Sequence, residues 1–201
     1  LDPKPKFSKQ GLFEAGWQKH YPGMIEWISS EDHGGIKNVN ATKMEFVTDL
    51  DTFKADAACV VPAQKAGAIA MAAGVNDGDW CPIQPASMQS KADENIYVLG
   101  DASMAKSMPK SGFSANSQAK VAANHIRGAL TGSKVFDARY SNTCWSLIAP
   151  DDDVKVGASY TGGAEAIDVE SKFISQADDS SETRAANYQE SIDWYNGITA
   201  D

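Results

Sequence analysis

The sequence predicts an α/β fold whose C-terminal part is α+β, and three features lead to this prediction. Residues 96–99 form a short apolar run that ends in Gly100 and Asp101, which is typical of a buried parallel strand ending at a ligand site. A helix rich in small residues is expected next, and Gly132 would end it. Beyond that helix, three segments of alternating polarity predict an antiparallel sheet.

The first 58 residues predict a helix followed by short strands. Ser8 can cap a helix over residues 11–20, and the Tyr-Pro-Gly sequence at 21–23 would end it. We expect a short strand at 24–28 and a hairpin formed by 36–40 and 44–48. Residues 53–56 would then lead into a buried strand at 57–62.

The remainder of the chain predicts a short helix at 64–74 and the C-terminal sheet from segments 144–149, 154–161 and 166–174. The polar residues 178–182 can cap a last helix that runs to Gly197. We expect the inner face of this helix to carry Tyr188, Ile192 and Tyr195.

The unit after residue 96 is the candidate ligand site. Gly100 lets the backbone approach a ligand, and Asp101 supplies a carboxylate that can accept hydrogen bonds from sugar or ribityl hydroxyls. The helix that begins near 111–114 offers free N–H groups and roughly half a positive charge. Its apolar face would be Ala119, Ala122, Ala123, Ile126 and Leu130. Gly-Asp-Ala at 100–102 resembles the second flavin motif of flavoproteins with two dinucleotide-binding domains, although an ordinary strand–turn–helix fits the dipeptide Gly-Asp equally well.

Composition excludes several classes of function. The net charge of −9 argues against nucleic-acid binding, which needs clustered Lys and Arg. No apolar run approaches the roughly 18 residues of a membrane span. The three cysteines are too few for a disulfide scaffold, and no CxxC or histidine cluster predicts a metal site. The start at Leu1 lacks Met and an apolar leader, so we expect a processed chain or part of a longer one.

No Gly-x-Gly-x-x-Gly follows a predicted strand, so the phosphate-binding half of a dinucleotide site is not expected here. A chain with the second flavin motif but not the first is expected to be the C-terminal half of a larger flavoprotein. Such a chain should hold FAD poorly by itself.

Five motifs resemble the flavoprotein subunit of flavocytochrome c sulfide dehydrogenase. They are VVPAQKAG at 60–67, NIYVLGDAS at 95–103, PKSGFSANSQAKVAA at 109–123, YSNTCWSLI at 140–148 and SIDWYNG at 191–197. The resemblance covers nearly the whole chain, but only about the second half of that family's flavoprotein.

The resemblance implies a glutathione-reductase-like fold with a C-terminal interface domain. Residues 1–58 would be the tail of the second nucleotide-binding-type domain, 59–132 the C-terminal part of the FAD-binding domain, and 133–201 the interface domain. The implied activity is periplasmic sulfide oxidation at FAD, with electrons passed to a c-type cytochrome subunit that carries the haem. The N-terminal half of the flavoprotein would be the other partner.

The resemblance also implies the site residues. Cys144 would be the catalytic residue, as one cysteine of a redox-active disulfide whose partner lies in the other half. The implied cofactor-binding residues are Gly100, Asp101, Ala102, Lys110, Ser111, Gly112 and Phe113. Without the resemblance, Cys144 can equally be a buried, inert small side chain, and residues 110–112 a solvated loop.

Two alternatives for the function stay open at this point. One is a sulfide:quinone oxidoreductase, against which the polar C-terminal segment argues, and the other is an interaction fragment without activity of its own. The two remaining cysteines, Cys59 and Cys81, are expected to pair in a structural disulfide, and the alternative is that both are buried free thiols.

Overall fold

The computed structural model describes residues 1–200, which form two compact units. The first unit comprises residues 1–62 with 148–150 and 176–178. The second comprises 63–147, 151–175 and the residues from 179 onward. The architecture is a mixture of helices and antiparallel sheet, so the α+β part of the prediction is confirmed.

The first unit contains two helices and a three-stranded antiparallel sheet. These elements are α1 (Gln10–His20), α2 (Ser30–His33), β1 (Ile36–Asn40), β2 (Glu45–Thr48) and β3 (Thr52–Lys54), with strand order β1-β2-β3. The predicted first helix and the predicted hairpin are therefore confirmed. The predicted cap is wrong, because Lys9 occupies the N-cap position at φ 64° and no side chain caps α1.

Two predicted strands are absent from the first unit. Residues 24–28 form no strand, and the carbonyl of Ile28 accepts a single bond from the N–H of Asp2 instead of joining a ladder. Residues 57–62 are exposed and non-regular, so the prediction of a buried strand there is also wrong. Both runs are apolar enough for a strand, but neither has a neighbouring strand to take up its backbone groups among the described residues.

The second unit contains three helices and a second three-stranded sheet. Its elements are α3 (Ala68–Ala72), a 3₁₀ turn at Gly100–Ala102, α4 (Gly112–Thr131), β4 (Arg139–Ala149), β5 (Asp152–Gly162), β6 (Ile167–Ile174) and α5 (Ser181–Thr199). The last two residues of β4 are counted with the first unit. The strand order is β4-β5-β6, with β5 and β6 antiparallel. The C-terminal sheet and the last helix match the predictions, whereas α3 is shorter than predicted.

The segment 96–99 is not a parallel strand. The N–H of Val98 donates to Met88, and the carbonyl of Ile96 accepts from Ser90, so the segment bonds to the connector that precedes it. Its side chains are half-buried or exposed. The ladders β1–β2, β2–β3 and β5–β6 are antiparallel, and the parallel pairing of Cys81 with Ser103 is an isolated bridge. The described residues therefore do not confirm the α/β part of the prediction.

Helix α4 begins and ends as predicted. Ser111 is the N-cap, since its hydroxyl accepts a hydrogen bond from the N–H of Ser114 over 3.1 Å. Gly132 ends the helix at φ 68°, a conformation that favours glycine.

The face that α4 buries differs from the prediction. Its buried residues are Ser114, Ser117, Gln118, Val121, Ala122 and Gly128, while Leu130 is 81% exposed. Only Ala122 belongs to both sets. The buried hydroxyls and amide bond to neighbouring segments, so hydrogen bonds rather than apolar spacing determine the orientation of the helix.

The core of the second unit lies between α4 and the sheet. Its members are Ile83, Met88, Ala105, Met108, Val121, Ala122, Ala138, Tyr140, Tyr160 and Ile167. Helix α5 packs against β5, where Arg184 pairs with Asp152 at 2.7 Å. The inner face of α5 is centred on Asn187, and Tyr195 is 62% exposed, so the predicted apolar face of this helix is wrong.

Candidate functional site

The turn at Gly100–Ala102 is fixed to helix α4. Gly100 has φ 69°, which favours glycine, and its N–H donates to Gln118 Oε1 over 2.7 Å. The carbonyl of Gly100 accepts from the hydroxyl of Ser103 at 2.8 Å. At the other end of the turn, the carbonyl of Ala102 accepts a hydrogen bond from the backbone N–H of Cys81. The predicted Gly-Asp-Ala motif is thus a rigid turn even though no strand precedes it.

Asp101 places its carboxylate at the surface of this turn. The residue is exposed, and its side chain accepts no hydrogen bond from the residues that the structure describes. A carboxylate in this state is free to accept hydrogen bonds from the hydroxyl groups of a ligand.

Lys110 holds the same turn in place. Its ammonium group donates to the carbonyls of Asp101 at 2.5 Å and Ser103 at 3.0 Å, and it lies 3.6 Å from the centre of the Trp80 ring. Burial lowers the pKa of Lys110, while the charge of Asp101 opposes that shift. The Lys110 ammonium group thus holds the turn by hydrogen bonds to the backbone carbonyls of Asp101 and Ser103.

Ser111, Gly112 and Phe113 form the N-terminal end of α4. The cap uses the N–H of Ser114, and the first helical bond runs from Ala115 to the carbonyl of Ser111. The earlier N–H groups, at Gly112 and Phe113, remain at the positive end of the helix dipole. This end of the helix favours negative charge in a ligand.

A buried amide connects this helix end to strand β4. Asn142 is 3% exposed, and its Oδ1 accepts from the hydroxyls of Ser111 at 2.5 Å and Ser114 at 3.0 Å. Its Nδ2 donates to the sulfur of Cys144 at 3.3 Å. The predicted catalytic residue is therefore linked to the predicted cofactor-binding residues through one side chain.

Cys144 is a half-buried free thiol on β4. Burial raises the pKa of Tyr160, and the electrostatic influence of Cys144 adds to this shift, so the phenol stays protonated. Cys59 is exposed and Cys81 is buried, and both are free thiols as well. The predicted disulfide between Cys59 and Cys81 is therefore wrong. Burial raises the pKa of Cys81, so this residue is a protonated core side chain.

Three aromatic rings pack against one another at the start of α4. The rings of Phe113 and Trp194 stack at 5.4 Å with an interplanar angle of 17°, and Trp145 lies 5.8 Å from each of them. The cluster joins the start of α4, the middle of β4 and the end of α5. It forms an apolar wall next to the N-terminal end of α4.

The structure thus joins all of the predicted site residues within the second unit. Contacts run from the turn at 100–102 through α4 and Asn142 to Cys144. The sequence analysis missed Asn142, Gln118 and Trp80, which hold the predicted residues in position. The spacing of Asn142 two residues before Cys144 was a usable signal, since alternate residues of a strand share one face.

This set of residues fits a flavin. An exposed carboxylate that accepts no hydrogen bond from the described residues suits ribityl or ribose hydroxyls, and a helix N-terminus suits a ring that gains negative charge on reduction. The aromatic wall suits a planar ring system. Among residues 1–200, no cluster of metal-ligating side chains occurs, and no helix is both long and apolar enough to cross a bilayer.

Comparison with known protein families gives two matches. Residues 1–62 match the model described as sulfide dehydrogenase [flavocytochrome c] flavoprotein chain, central. Residues 136–201 match the model described as flavocytochrome c sulphide dehydrogenase, flavin-binding. Cys144 and Asn142 lie within the second match, and the residues from Gly100 to Phe113 lie between the two matches. The roles of all these residues remain predictions. Both models describe one protein, and together they cover well over half of the sequence, so the chain belongs to the family of flavocytochrome c sulfide dehydrogenase flavoprotein chains.

Proposed function

We propose that this chain belongs to an enzyme that oxidises sulfide and passes the electrons to a c-type cytochrome subunit. The chain would supply part of the flavin site and one cysteine of the reactive disulfide. The observation that supports this most strongly is the buried path from the N-terminus of α4 through Asn142 to Cys144. Family membership supports a flavin and a cytochrome partner, and this makes the sulfide:quinone alternative less favoured.

The proposed cofactor is FAD in a glutathione-reductase-like fold, with domain boundaries at residues 58 and 132. Asp101 would accept hydrogen bonds from hydroxyls of the flavin, and Gly100 and Ala102 would keep the turn close to it. Lys110 would fix that turn. The N–H groups of Gly112 and Phe113, in a helix capped by Ser111, would stabilise negative charge. When bound, a flavin supplies a two-electron acceptor that can release electrons singly to a haem.

Cys144 would react as one half of a disulfide. Hydrosulfide attacks one sulfur of the disulfide, a new sulfur–sulfur bond forms there, and the other cysteine leaves as a thiolate. Since all three cysteines of the described residues are free thiols, the second sulfur would come from the other half of the flavoprotein. The rigid position of Cys144 on β4 would keep its sulfur next to the flavin. We place this chemistry in the periplasm, where disulfides persist.

The test uses the complete flavoprotein with its cytochrome subunit. Cys144→Ser should keep its flavin and lose sulfide-dependent cytochrome reduction by about 100-fold or more, because the reactive disulfide cannot form. Cys59→Ser is the matched control and should behave as wild type, since Cys59 is an exposed thiol. Wild-type turnover by Cys144→Ser would refute the disulfide mechanism.

A further inference from the structure

We propose that Asn142 is a positioning residue for the sulfur of Cys144, and that it stabilises negative charge on that sulfur. The proposal rests on the proposed function of Cys144. It goes beyond that function because it assigns a task to a residue that touches neither sulfide nor the cofactor in the scheme above.

The hydrogen bonds determine the orientation of the Asn142 amide. The hydroxyl of Ser111 already accepts from the N–H of Ser114, so it has its own hydrogen to donate, and it donates to Asn142 Oδ1 at 2.5 Å. The hydroxyl of Ser114 donates to the same oxygen at 3.0 Å. With two donors on its oxygen, the amide must direct its NH₂ group the other way, and Cys144 Sγ lies there at 3.3 Å.

The site gives Asn142 little freedom to move. The residue is 3% exposed, and β5 approaches its backbone closely, since a Cβ atom at Gly157 would lie 2.4 Å from the Asn142 carbonyl oxygen. Burying the amide without partners would cost free energy. Ser111 and Ser114 therefore fix the amide, and the amide in turn fixes the position of the sulfur.

The chemistry of this contact depends on the charge of the sulfur. A neutral thiol or a disulfide sulfur is a weak acceptor, whereas a thiolate is a strong one, because hydrogen bonds to charged groups are the stronger kind. The Asn142 N–H therefore favours the state in which Cys144 carries negative charge. The same amide is anchored through Ser111 to the capped end of α4.

The test uses the complete flavoprotein after its disulfide has been reduced and the reductant removed without oxygen, so that Cys144 is a free thiol. It measures how fast each cysteine then reacts with iodoacetamide at pH 7, resolved by peptide mass spectrometry. Alkylation follows the thiolate, so it reports the effect of Asn142 directly. Cys59, which is exposed, is the internal reference. Cys81 is 0% exposed, and its protection reports that the fold is intact.

Asn142→Leu has nearly the same shape but no donor. We expect the rate at Cys144 to fall about tenfold, the effect of one hydrogen bond to a charged group, while Cys59 is unchanged and Cys81 stays protected. An unchanged rate at Cys144 with Cys81 protected would overturn the proposal and leave Asn142 a packing residue.

Ser114→Ala provides the second variant in case Asn142→Leu exposes Cys81. It retains Asn142 but removes one of the two anchors of the amide, so the rate at Cys144 should fall by about threefold, a fraction of one such hydrogen bond. No change in that rate would also overturn the proposal. Because alkylation needs neither sulfide nor flavin, the result is separate from the turnover of Cys144→Ser, which tests the proposed function.

Discussion

Gln118 on helix α4 accepts a hydrogen bond from the backbone N–H of Gly100 over 2.7 Å, although Gln118 is itself 1% exposed. This contact makes a buried polar side chain the anchor of the turn that carries Asp101. It also explains why α4 directs a glutamine rather than an apolar residue into the core.

Replacing this anchor should destabilise the second unit. Gln118→Leu leaves the N–H of Gly100 without its acceptor, and we expect a loss of about 1–3 kcal/mol in the free energy of unfolding, measured by urea denaturation. Gln189→Leu is the control, because Gln189 is an exposed helical glutamine bonded to Asp193, and its loss should stay within about 0.5 kcal/mol. Equal effects of the two changes would argue against an anchoring role.

The cap of α4 should contribute more than the cap of α5. Ser111 and Ser180 both accept from the N–H three residues on, at 3.1 and 3.2 Å. A cap alone contributes about 0.5–2 kcal/mol. Ser111→Ala also removes the bond to the buried Asn142, so we expect it to cost more free energy of unfolding than Ser180→Ala in urea titrations. If Ser180→Ala costs as much, the bond from Ser111 to Asn142 contributes nothing to stability.

Alkaline pH should destabilise the fold through Tyr140. This tyrosine is 3% exposed, its hydroxyl donates to Pro85, and burial raises its pKa well above the ordinary value of 10.0. The folded state therefore keeps the proton where the unfolded state loses it. Stability from this group is complete below about pH 10 and is lost as the pH rises further.

Two tyrosine variants check this. Tyr140→Phe should lose about 0.5–1.5 kcal/mol at neutral pH with its hydrogen bond, but its unfolding free energy should decline less above pH 10 than that of wild type. Tyr195→Phe, at a residue that is 62% exposed, should follow the wild-type curve. Parallel curves for Tyr140→Phe and wild type would show that Tyr140 is not responsible for the alkaline loss.

Asp101 should matter for the cofactor rather than for the fold. Asp101→Ala in the complete flavoprotein removes the free carboxylate, so we expect weaker flavin retention, equivalent to about 1.5–3 kcal/mol for a hydrogen bond to a charged group. If the flavin is covalently attached, its reduction potential should shift instead. Asp93→Ala, which changes an exposed loop carboxylate bonded to Asn95, is the control. An unchanged flavin content together with an unchanged potential would remove Asp101 from the site.

The sequence predicts the elements that short-range signals specify. Ser111 and Gly132 mark the ends of α4 because a side-chain cap and a left-handed glycine are local features. The hairpin in the first unit and the C-terminal sheet also join strands that are close in sequence.

The wrong predictions concern partners that are distant in sequence. An apolar run such as 96–99 or 57–62 becomes a strand only if another strand pairs with it, and this chain provides none among the described residues. The inner face of α4 is determined by hydrogen bonds to Asn142, Ser141 and Gly100. These residues lie outside the helix, so the spacing of apolar residues within the helix cannot predict the face.

The candidate site divides in the same way. Motifs identify the residues that would contact a ligand, such as Asp101 and Cys144. The residues that hold them, Asn142 and Gln118, are polar side chains in a strand and a helix that pattern analysis assigns to the surface. Their burial follows only from the packed fold.

The central claim is that electrons from sulfide reach the flavin through Cys144. The most direct measurement mixes the complete oxidised flavoprotein with sulfide without oxygen and follows the visible absorbance of the flavin in a stopped-flow instrument. We predict rapid bleaching in wild type, and in Cys144→Ser bleaching by dithionite but not by sulfide on the same timescale. Bleaching of the Cys144→Ser flavin by sulfide at the wild-type rate would contradict the account.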